Sequence, residues 1–131
     1  MKPHRIRLAH NLIGGYGLLD RMSHFEPVRL AREEMVKFHA EDYIDFLQEV
    51  RPQHQQLLNA AANPDDEDDS AAVSAADIEA IATSFRKFGV DGDCPIFDGL
   101  YKYCEIYSGG SVGGAWKLNR GAADIAINWY C

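Results

Sequence analysis

An acidic run divides the chain into two electrically neutral stretches, and this most constrains how the chain can fold. The net charge of −7 lies entirely within residues 64–79, where seven acidic residues meet no basic one. Residues 1–63 carry eight basic and eight acidic residues, and residues 80–131 carry five of each. Because like charges repel one another and resist burial, we expect residues 59–76 to form a disordered acidic insertion.

The charge and apolar content exclude several classes of protein. A chain of 131 residues with 47% hydrophobic and 25% charged residues is typical of one soluble globular domain. Neither neutral stretch offers the basic surface that nucleic acid requires, and no apolar run approaches the roughly 20 residues of a membrane span. The three cysteines lack C-x-x-C spacing, which favours reduced thiols in the cytosol or nucleus.

Apolar residues at helical spacing predict four helices, the first of which three glycines should weaken. Within the second, the acidic pair Glu41 and Asp42 is typical of a fresh helix start. Gly89 is the expected end of the third. The predicted helices span residues 3–22, 31–50, 78–88 and 98–118.

The last predicted element is a β-strand. Ile125, Ile127 and Trp129 alternate along residues 123–129 as one face of a strand would. Ligands of parallel α/β sheets bind beyond the carboxyl ends of the strands, so a site is expected just after this segment.

Several residues could bind a ligand or a metal, but each also has a simpler structural role. The glycine-rich stretch at 109–114 lacks the lysine of a phosphate-binding loop, so Gly110 and Gly114 are better explained by close packing of a helix against its neighbour. None of the five histidines has zinc-ligand spacing. Asp93, in a loop rich in turn formers, could orient a peptide because a carboxylate can accept two backbone N–H bonds. It could equally be a turn residue.

Several longer motifs resemble the N-terminal part of the catalytic domain of class I histone deacetylases. The similarity covers about residues 1–52 and 84–129, and the residues between them correspond to a much shorter connection in that family. The motifs are MKPHRIR at 1–7, FHAEDYIDFL at 38–47, DGDCPIFDGL at 91–100, GGSV at 109–112 and DIAINW at 124–129.

The resemblance implies a partial arginase/deacetylase-like α/β fold over residues 1–131, mostly helical here and with one C-terminal strand of the parallel sheet. It also implies a zinc-dependent hydrolase of C–N amide bonds that removes acetyl groups from lysine, with two histidines as general base and acid. In the family those histidines follow a glycine pair directly after the segment matching Ile127 to Trp129. Neither they nor the zinc ligands have counterparts here, so we expect a truncated deacetylase with no catalytic or metal-binding residues, inactive alone.

Three residues match family positions with roles. By resemblance Asp93 holds the substrate backbone, Arg5 lies in the inner cavity associated with acetate release, and Lys2 contributes to an inositol-phosphate site. Arg5 and Lys2 could also be ordinary surface charges. Trp116 departs from the family, which usually has a smaller apolar residue there.

The resemblance also implies partners and a compartment. Histone tails, a corepressor complex and inositol phosphate are the expected partners, without direct contact to nucleic acid or membrane, in the nucleus and also the cytoplasm. The alternative is a non-catalytic interaction module that binds corepressor or basic histone tails. The acidic run could bind such tails, although a solvated loop is the favoured interpretation.

Overall fold

The structure, a computed structural model, describes residues 3–62, 74–90 and 94–129. These residues form helices, turns and irregular segments, and no β-strand is found among them. The chain divides into two compact units. Unit 1 comprises residues 1–39 and 101–131, and unit 2 comprises residues 40–100.

The first helix of unit 1 is shorter than its apolar pattern predicts. Helix α1 spans Pro3–Gly15 and is followed by a single 3₁₀ turn at Leu19–Arg21. Between them the backbone at Gly17 has a φ of 66°, a left-handed conformation that glycine adopts without steric cost. The glycines therefore end the helix before Met22 instead of merely weakening it.

The second predicted helix is two helices. Helix α2 spans Arg32–Met35 in unit 1, and α3 spans Glu41–Glu49 in unit 2. Ala40 is extended, with φ −61° and ψ 140°, so the fresh start predicted at Glu41 is confirmed. Two carboxylates in the first turn of α3 favour this start because they face the positive end of the helix dipole.

Helix α4, Pro52–Ala62, shortens the predicted insertion from its N-terminal side. Proline suits a first helical turn because its missing N–H has no helical partner to lose. Since α4 extends to Ala62, residues 59–62 are helical and not disordered as predicted. The acidic residues at 63–73 lie outside the described residues, and their disorder stays a prediction.

Helix α5, Ala75–Phe88, shortens the insertion from its other side and is capped at both ends. The Ser74 hydroxyl accepts a hydrogen bond from the Asp77 backbone N–H at 3.2 Å. Gly89 adopts a φ of 65° and its N–H bonds back to the Phe85 carbonyl, which confirms the predicted stop.

The core of unit 2 is built from these helices and the segment that follows them. Phe46 of α3 packs edge-on against Phe85 with ring centroids 5.8 Å apart, and lies 4.8 Å from the Phe88 ring. At the surface, Lys87 pairs with Asp42 at 2.6 Å. The buried side chains of this core are Val50, Phe85, Val90 and Ile96.

Helix α6, Leu100–Asn119, confirms the helix predicted over residues 98–118, but the strand predicted after it is wrong. Residues 123–129 are irregular. A strand is completed by backbone hydrogen bonds to a neighbouring strand, and the described residues supply none. Side chains hold this segment against α6 instead.

Candidate functional site

Unit 1 brings two segments from different parts of the sequence onto opposite faces of α6: residues 28–30 on one face and residues 126–128 on the other. The main chain around Val28 passes directly over Gly109, where an added Cβ would collide with the Val28 carbonyl oxygen. Nearby, the Leu30 N–H donates to the Glu105 carbonyl at 3.0 Å. Gly109 is consequently buried, and its missing side chain is what permits the approach.

On the opposite face, the side chain of Asn128 packs against α6. The Asn128 Nδ2 donates to the Tyr107 carbonyl at 2.9 Å and to the Ser111 hydroxyl at 3.0 Å. A Cβ on Gly110 would lie only 2.9 Å from that nitrogen. The carboxamide thus occupies the space that glycine leaves open.

A second contact of the same kind lies one helical turn along. A Cβ on Gly114 would lie 3.3 Å from the Cβ of Ala126, closer than ordinary side chains pack. We name the four residues Gly110, Gly114, Ala126 and Asn128 the glycine seat. The close packing predicted for Gly110 and Gly114 is confirmed, and the neighbour is the irregular segment after α6.

Beyond the glycine seat, the segment reaches α1. The Trp129 ring lies 5.9 Å from the His10 ring, centroid to centroid, with the planes inclined at 33°. Ile125 and Ile127, which point away from the seat, are 78% and 63% exposed. Ala126 and Asn128 therefore face α6, Ile125 and Ile127 face solvent, and Trp129 packs beside α1.

Of the three residues assigned roles by resemblance, the structure describes one. Arg5 lies on α1 and is exposed. Lys2 and Asp93 lie outside the described residues. Buried Val90 and Ile96, on either side of the Asp93 loop, are both part of the core of unit 2.

Trp116, where the sequence departs from the family, is accommodated at the surface. Its side chain is 51% exposed, and the Arg120 guanidinium stacks 4.0 Å from its ring. A cation over an aromatic face is attracted by the ring quadrupole. The larger residue therefore needs no space in the core.

The described residues do not fit the zinc ion that the resemblance implies. Across residues 3–62, 74–90 and 94–129, no group of three or more His, Cys, Asp or Glu side chains could hold a metal ion.

In that same part of the chain, every helix is too short or too polar to cross a bilayer.

Sequence reasoning missed Asn128 and its contact with α6, although a signal was present. Asparagine is depleted in strands, so its position among alternating apolar residues was anomalous. Together with two glycines four residues apart on a helix, this asparagine indicates a polar side chain that packs and hydrogen-bonds against that helix. Only the tertiary structure pairs the two features.

Comparison with known proteins defines the class to which this arrangement belongs. Residues 1–130 match the family model described as histone deacetylase domain. The chain therefore belongs to the histone deacetylase family, whose fold is of the arginase/deacetylase type, and the resemblance is confirmed.

Individual relatives agree over nearly the whole chain. It is 42% identical to Histone deacetylase 19 of Arabidopsis thaliana and 45% identical to Histone deacetylase 1 of Oryza sativa subsp. japonica. It is 39% identical to Histone deacetylase 1 of Homo sapiens. Each alignment extends over 129 residues and covers 98% of this chain. The chain spans about a fifth of the length of these curated relatives, which it covers to 20–22%.

Proposed function

We propose that this chain builds the N-terminal part of a histone deacetylase catalytic domain. The observation that carries the proposal is the family match over residues 1–130, together with 39–45% identity to three deacetylases. The reaction of such a domain splits the acetyl–lysine amide with water and yields acetate and a free lysine amine. Zinc in the intact family activates that water.

The roles proposed for individual residues are those of binding and positioning. Asp93 accepts backbone N–H bonds from the substrate peptide at the mouth of the channel, which suits a carboxylate with two acceptor oxygens. Arg5 serves the inner cavity, where its permanent positive charge attracts the acetate product. Its exposure on α1 is compatible with reaching a small anion. Lys2 contributes a point charge to an inositol-phosphate site.

We further propose that the 131 residues alone do not hydrolyse acetyl-lysine. The resemblance places the histidine pair and the zinc ligands in segments that have no counterpart among these residues. Acetylated histone tails, a corepressor complex and a nuclear location follow from the same proposal, because they are the setting of the class I enzymes.

A domain exchange tests the proposal. The whole 131-residue chain replaces the matching segment of human Histone deacetylase 1, and hydrolysis of an acetyl-lysine histone-tail peptide is measured. We expect the chimera to be active and the free chain to be inactive. A chimera that unfolds cooperatively yet lacks activity would overturn the proposed function. Corepressor capture by that inactive chimera would favour the interaction module instead.

The role of Asp93 is tested in the same chimera with a matched control. Asp93→Asn keeps the size of the side chain but weakens its acceptor strength, so KM for the peptide should rise while kcat changes little. Asp98→Asn removes an exposed charge from the same motif and should leave KM unchanged. Equal effects of the two substitutions would contradict the role of Asp93.

A further inference from the structure

In the glycine seat, residues four apart on α6 face residues two apart on the segment that follows it, a spacing that a nearly extended backbone would span. Four residues of α-helix advance about 6 Å, and two residues of extended chain advance about 6.6 Å. Gly110 therefore faces Asn128 while Gly114 faces Ala126, with the two segments running in opposite directions. The observed register satisfies both contacts at once.

A shift of one residue would be rejected by this geometry. Because Ala126 and Asn128 face α6 while Ile125 and Ile127 are exposed, such a slip would bring Ile127 or Trp129 against Gly110. Gly110 leaves a small space that the Asn128 carboxamide fills, with its nitrogen 2.9 Å from the position of an added Cβ, and a branched or aromatic side chain is much larger than that carboxamide. Asn128 also supplies directional bonds at 2.9 and 3.0 Å that an apolar side chain cannot make. The carboxamide thus favours the arrangement in which residue 128, and not residue 127 or 129, faces Gly110.

We infer that Asn128 is a positioning residue that fixes the register of residues 123–129 on α6. Through that register it sets the place of Trp129 beside His10. The inference rests on the proposed function for its catalytic meaning, since the family's histidine pair follows the segment that ends at Trp129. A shift of register at Asn128 would therefore displace the histidine pair that follows in the family, although Asn128 itself does not touch substrate.

The seat itself is tested in the 131-residue chain by a pair of coupled substitutions. Gly110→Ala should lower the Tm in the presence of Asn128, because the new methyl displaces the carboxamide from its two acceptors. In an Asn128→Ala background the clash is gone, and the same substitution should raise the Tm because alanine favours helix over glycine. Gly113→Ala, with nothing within 4 Å of the added Cβ, is the control and should raise the Tm in both backgrounds.

The position of Trp129 gives an independent readout in the same proteins. With Trp116→Phe as the common background, Trp129 is the single fluorophore of its type. Asn128→Ala and Gly110→Ala should each shift its emission, whereas Gly113→Ala should not. If Gly110→Ala has the same effect on the Tm with and without Asn128, and the emission is unmoved, the inferred register role is overturned.

The catalytic consequence is measured in the chimera with human Histone deacetylase 1. Asn128→Asp retains the shape but replaces the donor by an acceptor facing the Tyr107 carbonyl, and should lower kcat with little change in KM. A displacement near 1 Å can reduce a rate on the order of 100-fold, so we expect a loss of about 10- to 100-fold in kcat per folded molecule. Gly113→Ala should leave both constants unchanged.

The outcomes separate this inference from the proposed function. An active chimera whose kcat withstands Asn128→Asp would overturn the positioning role and leave the proposed function intact. An inactive parent chimera would overturn the proposed function, and the Tm coupling between Gly110 and Asn128 would still decide the register.

Discussion

At the residue scale, neighbouring glycines of one helix have different roles because they meet different atoms. Gly109 faces the Val28 main chain, Gly110 faces Asn128, and Gly113 faces open space. All three favour other conformations over helix to the same degree, so intrinsic propensity cannot distinguish them. Substitution by alanine should therefore lower stability at Gly109 and Gly110 and raise it at Gly113.

Gly109→Ala should be strongly destabilising. The new methyl would collide with a main-chain carbonyl, which cannot rotate away as a flexible side chain can. Overpacking of this kind costs about 1–3 kcal/mol, whereas Gly113→Ala should gain up to about 1 kcal/mol from helix propensity. Thermal unfolding of the two variants checks this, and equal stability would show that the Val28 segment does not lie against α6.

Burial should also separate the reactivities of two cysteines. Burial raises the pKa of the Cys104 thiol, with a hydrogen bond to Tyr107 acting in the opposite direction. A higher pKa leaves less thiolate at neutral pH, and Cys104 is only 6% exposed, so a disulfide reagent should attack it slowly in the folded protein. Variants that retain only Cys104 or only the exposed Cys94 provide the comparison.

Denaturant supplies the control for that labelling experiment. Unfolding should bring Cys104 to the rate of Cys94, because both thiols then share the same solvent. Comparable rates before unfolding would contradict the burial of Cys104 in unit 1.

At the element scale, helix ends were harder to foresee than helix centres. The apolar repeat over residues 31–50 suggested one helix, yet the chain leaves helical geometry between α2 and α3, where Phe38 is 89% exposed. An apolar repeat reports only which face is available for burial, and whether the face is buried depends on other elements. The acidic pair at Glu41 was the better local signal.

The cap of α5 offers a direct test at this scale. Ser74→Ala removes the acceptor of the Asp77 N–H and should lower the free energy of unfolding by about 0.5–2 kcal/mol. Ser84→Ala is the matched control on the same helix. Its hydroxyl only donates to the Ala80 carbonyl one turn back, so the control should be neutral or slightly stabilising. Equal losses in chemical denaturation would contradict the capping role.

At the scale of the whole molecule, exposed apolar surface should promote self-association, and net charge should oppose it. Twelve large hydrophobic residues are exposed among the described residues, including Ile125 and Ile127. Net charge keeps such surfaces apart, and the pI of about 5.1 places the loss of that repulsion in mildly acidic solution. We expect self-association to increase as the pH falls from 8 towards 5.

The acidic run provides the matching variant. Deleting Asp65–Asp69 removes five acidic residues, and so should move the strongest association towards neutral pH. Light scattering at a series of pH values and concentrations measures the association of both proteins. The idea fails if the deletion leaves the pH profile where it was.

The sequence by itself determined the family and the centres of most helices, although it did not predict α4. Both depend on local information: contiguous motifs, apolar spacing, and glycine and acidic residues near helix ends. The stop at Gly89 and the start at Glu41 were therefore predictable. The roles of Lys2 and Asp93, which lie outside the described residues, stay predictions from the same motifs.

Only the tertiary structure decided what residues 123–129 do and which glycine meets which neighbour. The alternation of apolar residues in that segment predicted a strand, but a strand needs a paired backbone, and that partner cannot be inferred from the segment alone. Close contacts such as Gly110 with Asn128 join residues 18 positions apart, so no local pattern specifies them. Packing decides these contacts because they depend on the volumes and hydrogen bonds of side chains that only folding brings together.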